Sequence, residues 1–364
     1  MPIGEMPIGE MPVGEMPEKE MRANPGTIIG VTKLEAGAGH VALSERPRPR
    51  PGPGEVVLGV VGTGICGTDL HIWAAEYHSV PPVTMGHEIC GVVAEVGEEV
   101  DPGWLGKRVA VETYYSTCGR CRYCRGGQRN LCLERKSIGS HVDGGMAAAV
   151  LVPTINLHEV PDWLGDAAAT LSEPLACTCH CMMDPAAVQA GDVVLVIGPG
   201  AMGLLAAQVA RACGGTVTVR GTKDDRVRLD LARTLGFEVE VVGAGEAGRA
   251  AAQNVDVLIE CSGSEAGVRY GFEVLRRGGT FVLVGLRGAD IGLRLDLVCF
   301  HEFAIRSGFA STPQSWGTAM RLIWHKDVEL APLISEVLAL SQWELAFNAS
   351  RAGRGVKYVL DPRL

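Results

Sequence analysis

The sequence predicts a two-domain α/β protein: a mostly β domain followed by a doubly wound parallel sheet. Three observations predict it. The chain has 364 residues, long for one hydrophobic core. Residues 27–150 carry short β-branched runs separated by Gly and Pro clusters. From Asp192 onward, apolar strand-like runs alternate with helical stretches, the pattern of parallel βαβ units.

Residues 1–20 form a five-residue repeat, MPIGE, MPIGE, MPVGE, MPEKE. Its recurring Pro and Gly break helix and strand alike, so a flexible acidic tail is expected over 1–23. Each repeat begins with Met, which leaves the start codon open. Folded sequence begins near Thr27, with strands over 55–61 and 89–96 and a Pro/Gly turn cluster over 47–54. Residues 164–184 are Ala-rich with few breakers and read as helix. Strands follow at 193–198, 216–221, 255–263, 279–286 and 304–309, with helices at 201–214, 226–236 and around 316–325. The strand-like GVKYVL (355–360) is expected to return to the first domain. That divides the chain into 24–177 with 313–364 as one domain and 178–312 as the other.

Composition excludes several functions. The net charge is −9, which argues against a nucleic-acid partner or an anionic membrane surface; only 120–135 is locally basic. No run of eighteen apolar residues predicts a membrane span, and the N-terminus lacks the basic start and apolar block of a signal peptide. Twelve cysteines without an export signal point to the reducing cytoplasm, with thiols used for metal or packing. Cys90, Cys213, Cys261 and Cys299 lie in apolar contexts and read as small core residues.

Cys118, Cys121, Cys124 and Cys132 fall on one stretch, CGRCRYCRGGQRNLC, spaced C-x2-C-x2-C-x7-C. Four thiolates this close can surround one Zn²⁺, and a closed four-sulfur shell is structural, with no position open to substrate. The segment is polar, so the metal is expected to fold it. Downstream, Gly198-Pro199-Gly200-Ala201-Met202-Gly203 fits G-x-G-x-x-G between a buried strand and a helix, the context of a dinucleotide fingerprint. Gly198 makes the turn, Gly200 admits a pyrophosphate and Gly203 lets helix and strand pack closely. The helix start at Ala201 and Met202 offers N–H donors to phosphate. The next strand's end normally carries an acid for a ribose 2′-hydroxyl; here the position is Gly221, flanked by Arg220 and Lys223. The missing carboxylate and two cations favour NADP, while Asp224 and Asp225 leave a route to NAD.

A second set of metal-ligand residues lies in GICGTDLH (64–71), GHE (86–88) and SEPLACTCH (172–180). A thiolate, an imidazole and carboxylates from separated segments make a mixed zinc site that can keep a position for water or substrate. In order and content these motifs resemble the zinc-containing medium-chain dehydrogenase/reductase family, the alcohol dehydrogenase superfamily. The likeness is strongest to its polyol (sorbitol/iditol) and threonine dehydrogenase branches and covers about residues 27–364.

The resemblance implies a GroES-like catalytic domain, a Rossmann cofactor domain, and two zinc ions per subunit, one catalytic and one structural. It implies that Cys66 and His87 ligate the catalytic zinc. Glu88 ligates directly or stands just behind, and Glu173, before Pro174, occupies the third-ligand place of simple alcohol dehydrogenases. Cys177, Cys179 and Cys181 then rank as packing residues. Thr68 implies the hydroxyl bonded to the reacting alcohol, and His71 the outer member of its proton relay. Gly285 and Leu286 resemble a nicotinamide-facing loop, and Lys357 a cation near the pyrophosphate. The implied reaction is hydride transfer between a secondary alcohol or polyol and NAD(P), in a homotetramer or homodimer. Alternatives are a threonine or aminocyclitol dehydrogenase and a non-catalytic nucleotide-binding module. Glu173-Pro174 departs from the threonine branch, whereas CGTDLH stands closer to it.

Overall fold

The strand Glu55–Gly64, EVVLGVVGTG, is buried along most of its length and is the spine of the first sheet. It pairs antiparallel with Glu88–Val96 on one side, and with Ala149–Pro153 and Lys357–Asp361 on the other. Such double-sided pairing suits a continuous β-branched run. The sheet path continues outward through Arg108–Val111 to Leu157–Glu159, and from Lys357–Asp361 to Ile334–Ala339. The C-terminal strand thus closes onto a strand begun 302 residues earlier, through the pairs Val359↔Gly64 and Leu360↔Thr63, and the first sheet is built from both ends of the sequence. These strands belong to a computed structural model describing residues 26–243 and 254–364; the tail over 1–23 lies outside the described residues.

The second sheet has six parallel strands in the order Glu238–Val242, Thr216–Thr222, Val193–Ile197, Val255–Glu260, Leu275–Leu283, Ala304–Ser307. Its edge strand Glu238–Val242 was not anticipated. Its Glu/Val alternation is the period-2 signal of a half-buried edge, but it is only five residues long. The stretch 164–184 is two helices, Asp166–Ala169 and Ser172–Met183. The Thr170 hydroxyl donates to the Ala167 carbonyl (2.7 Å) and closes the first turn there.

Helix Ser172–Met183 runs unbroken across 177/178, so the two sheets meet along shared helices rather than at a linker. One apolar cluster spans them, from Val61 and Cys90 through Leu175, Ala176 and Cys179 to Val196, Leu204 and Trp316 of helix Pro313–Trp324. Cys90 and Cys179 are core residues and Cys213 and Cys261 pack partly buried against that core, but Cys299 is exposed, a departure from its core assignment. Among the described residues no helix is long and apolar enough to cross a membrane.

Candidate active site

The register of the first sheet sets the site. Gly64 lies opposite Glu88, and a side chain at Gly64 would place its Cβ 2.1 Å from the Glu88 carboxylate. Gly86, with φ +92°, turns the chain so that His87 and Glu88 follow; a Cβ there would meet Met146 at 2.6 Å. Cys66 then caps helix Gly67–Trp73, whose Asp69 accepts from the Cys66 N–H at 2.9 Å. On this helix Thr68 and His71, three residues apart, share the face toward the cavity, while Asp69 and Ile72 turn inward.

The structure brings Cys66, His87 and Glu88 together, with one potential ligand atom from each within 4.8 Å of the others. Asp69, fully buried, holds an oxygen 3.7 Å from His87 Nδ1 and has no other partner for it. That carboxylate-behind-imidazole arrangement orients a metal-bound histidine. Burial works against a charged His87, yet Asp69, Cys66 and Glu173 facing it raise its pKa well above the usual histidine range. So much negative potential around one buried imidazole suits a divalent cation, and the donor set of sulfur, nitrogen and oxygen suits zinc.

Glu88 accepts both of its hydrogen bonds from Lys357 Nζ at 2.7 Å, and the ammonium also donates to the Ile65 carbonyl. Burial opposes the Lys357 charge, but Glu88 and Cys66 outweigh it and raise its pKa. Lys357, expected beside a pyrophosphate, is therefore buried behind Glu88 of the Cys66–His87–Glu88 cluster; strand pairing at Val359↔Gly64 carries it there. Glu173 opens helix Ser172–Met183 and accepts from Thr113 Oγ1 (2.8 Å) and Cys177 Sγ (3.3 Å). Burial raises its pKa, while His87 and the Thr113 bond oppose the rise.

A cavity of about 250 Å³ joins Cys66, Thr68, His71, His87, Glu88 and Glu173 to Met202 and Leu286 of the second domain. It is small beside typical ligand pockets, so it fits a small substrate. His71 Nδ1 pairs with Glu76 at 2.7 Å. A larger groove of about 350 Å³ around Arg46 and Tyr115 holds none of these groups. Cys177, expected only to pack, lines the small cavity and bonds Glu173. Asp69, Thr113 and Arg135 were missed as site residues, while Tyr77 falls in the loop 73–82 expected to line the pocket. Asp69 alone had a local signal, the capping spacing three residues after Cys66.

In the lobe, Cys118, Cys121, Cys124 and Cys132 bring their sulfurs within 4.8 Å of one another, Cys118 and Cys124 at 3.9 Å. Tetrahedral zinc with bonds of about 2.3 Å needs sulfurs roughly 3.8 Å apart. The N–H groups of Cys118, Cys121 and Cys124 point to the sulfurs of Cys132, Cys118 and Cys121, each at 3.4 Å. Backbone bonds from Arg120 and Cys121 pull the Cys118 thiol down to about 7.

At the nucleotide turn Gly198 has φ +96°, and a Cβ there would meet Ser262 N at 2.7 Å. Gly203 approaches the Gly198 carbonyl, whereas a Cβ on Gly200 would face open space. That opening before helix Ala201–Ala212, with Ala201 and Met202 in its first turn, is the room a pyrophosphate needs. Gly285 packs against Gly263, and Leu286 beside it is exposed at the cavity. Two expectations at the next strand end fail. Arg220 is buried, paired with Glu240 and stacked 3.5 Å over the Tyr270 ring, so its charge is spent inside the sheet. Asp225 caps its own turn, accepting from Thr222 N and Oγ1 at 3.0 and 2.9 Å, and is not free for a ribose. Lys223 stays exposed and lines a surface pocket with Thr222, Arg226 and Arg233.

The alcohol dehydrogenase GroES-like domain matches residues 52–162, and the zinc-binding dehydrogenase family residues 201–325. A sorbitol dehydrogenase of Halalkalibacterium halodurans is 36% identical over 343 residues, covering 91% of this chain and 98% of that protein. The chain belongs to the zinc-binding dehydrogenase family. A D-arabitol-phosphate dehydrogenase of Enterococcus avium is 32% identical, covering 92% of this chain and 97% of that protein. A zinc-binding dehydrogenase of Sinorhizobium meliloti, solved with NADP, matches with TM-score 0.85 at 31% identity, over 93% of this chain and all of that one. As a member of the zinc-binding dehydrogenase family, the chain is an oxidoreductase of the alcohol dehydrogenase type that works with zinc and a nicotinamide cofactor.

Proposed function

We propose that this dehydrogenase oxidises a secondary alcohol of the polyol class, with NADP as its preferred nicotinamide. The observation that carries the reading is the gathering of Cys66, His87 and Glu88 in one cavity with Thr68, Glu173 and Met202. The sorbitol and arabitol-phosphate relatives support the polyol class. Two zinc ions belong to this reading: Cys118, Cys121, Cys124 and Cys132 would hold one in a closed shell, and Cys66, His87 and Glu88 would hold the other, with Glu173 lining the same cavity. Bound there, zinc supplies Lewis-acid stabilisation of an alkoxide, and the nicotinamide supplies the hydride acceptor.

The chain's own residues do the rest. Asp69 fixes the His87 ring, and Lys357 fixes and neutralises Glu88. Thr68 accepts a hydrogen bond from the substrate hydroxyl, and His71, half exposed and held by Glu76, releases the proton to solvent. NADP is supported by Lys223 and Arg226 at the pocket next to Gly221. An Asp at Gly221 would crowd Pro199, its Cβ lying 2.9 Å from the ring. A homotetramer or homodimer is part of the proposal, supported by exposed Leu295, Phe300 and Ile305 at and beside helix Asp296–His301 and edge strand Ala304–Ser307. A reducing cytoplasm fits thiols that must stay free to bind metal.

The test is reduced-nicotinamide absorbance from the zinc-loaded full chain with sorbitol or xylitol, and NAD or NADP. Chelator-sensitive turnover with the higher kcat/KM for NADP is expected. No turnover of any polyol, neutral or charged, with both metal sites filled would end the polyol reading.

A further inference from the structure

The same cavity holds a cation that the chemistry above does not use. Arg135 lines the cavity together with His71, Tyr77, Ser137, Ser140 and Phe309. Its Nη1 donates to the Asn130 carbonyl at 2.9 Å, and its guanidinium lies over two rings, 4.8 Å from Phe309 and 5.5 Å from Tyr114. One bond to backbone and two aromatic faces hold the plane in place, yet among the described residues no carboxylate pairs with it. The acid next to it in sequence, Glu134, is engaged by Arg120 on the surface. Lys136 follows Arg135 in the chain, and nearby the His141 ring meets His78 edge-on at 5.3 Å; burial first, then His78, Arg135 and Lys136, lower the His141 pKa.

A half-buried, preorganised and unpaired guanidinium is unusual in a chain of net charge −9. Ion pairing is the common fate of such a group, and its planar fork matches a carboxylate or phosphate. A neutral polyol does not call for it, since hydroxyls are served by the Ser, Tyr and Thr side chains already lining the cavity. Cys66, His87 and Glu88 line the same cavity, so one substrate can set its reacting hydroxyl at that cluster and an oxyanion at Arg135.

We propose that Arg135 is a substrate-binding residue that recognises an oxyanion, so that the alcohol oxidised is a polyol carrying a carboxylate or a phosphate. This rests on the dehydrogenase reading and narrows it. The shared chemistry is the oxyanion; the two carriers are separated by experiment.

The experiment compares kcat/KM for sorbitol, sorbitol 6-phosphate and gluconate, using the zinc-loaded full chain, its Arg135→Gln variant and its Arg135→Lys variant. One charged compound is expected to exceed sorbitol by about 10-fold or more. Arg135→Gln is expected to reduce the charged-to-neutral ratio by about 10- to 100-fold, the range of a charge-assisted bond, and Arg135→Lys to restore part of it. Preference for the phosphate or for the acid identifies the carrier. Sorbitol turned over as well as both charged compounds, with an unchanged ratio in the variants, would overturn the proposal and leave the dehydrogenase reading standing. If none of the three is oxidised, the polyol reading falls. Calorimetric titration of sorbitol 6-phosphate and gluconate then decides on Arg135 by itself: binding to the wild-type chain that Arg135→Gln weakens supports it, and binding that is absent or equal in both overturns it.

Discussion

The two cysteine-bearing clusters of this protein use overlapping ligand chemistry and are built in opposite ways. The lobe draws four sulfurs from fifteen consecutive residues, 118–132, and its backbone N–H groups point at those sulfurs. The active-site cluster draws one sulfur, one imidazole and carboxylates from three separated segments. Behind these residues stand side chains brought from elsewhere: Asp69 behind His87, Lys357 behind Glu88, Thr113 against Glu173. A local loop can present a closed shell but little second support. A site assembled across a sheet can bury mixed ligands, orient each one and leave a side open to substrate.

The comparison is most sharply broken or kept by a pair of cysteine variants. Cys66→Ala is expected to cut turnover by on the order of 1,000-fold or more while the protein stays folded, since Lewis-acid stabilisation is worth several kcal/mol. Cys118→Ala is expected to cost the lobe its metal and lower Tm, because metal binding there is folding energy. Metal content, thermal melting and turnover measured together decide it. A Cys66→Ala protein that melts lower than Cys118→Ala would reverse the assignment of roles.

Next in size is Lys357→Met. It leaves Glu88 buried without its cation, and a loss of about 3–5 kcal/mol is expected in urea titrations of metal-free protein. A change within error would mean that Glu88 is not held by this pair. Asp69→Asn is expected to weaken metal binding at the active site by about 10- to 100-fold, with the lobe metal unaffected; competition with a chromophoric chelator reads both.

The smallest effect is in pH. Glu173 has a raised pKa in the folded chain, so the folded metal-free protein holds that proton more tightly than the unfolded chain. Its contribution to stability is complete below the ordinary glutamate range and is lost as pH rises through the raised value. Glu173→Gln should therefore flatten the stability profile of metal-free protein across that window. An unchanged slope would place the titration elsewhere.

Much of the fold was legible because its signals are local. The alternation of strand and helix after Asp192, the glycine turn at 198–203 and the four-cysteine spacing each lie within one short window. The errors share a cause. Arg220 and Gly221 are neighbours in sequence, but a strand sends successive side chains to opposite faces. Arg220 therefore went to the buried face beside Tyr270, while Lys223 and Arg226 remained exposed. Lys357 was misplaced because its position depends on the pairing of Val359 with Gly64.

The sequence by itself determined the ligand types, the fingerprint and the domain class, because sulfur spacing, glycine placement and hydrophobic period are written within a few turns of chain. Tertiary structure alone decided which carboxylate stands with Cys66 and His87, which cations are paired in the interior and which, like Arg135, line the cavity without a carboxylate partner among the described residues. Those outcomes depend on pairings across the fold, 20 positions apart for Arg220 and Glu240 and 269 for Lys357 and Glu88, where the cost of burying a charge alone selects its partner.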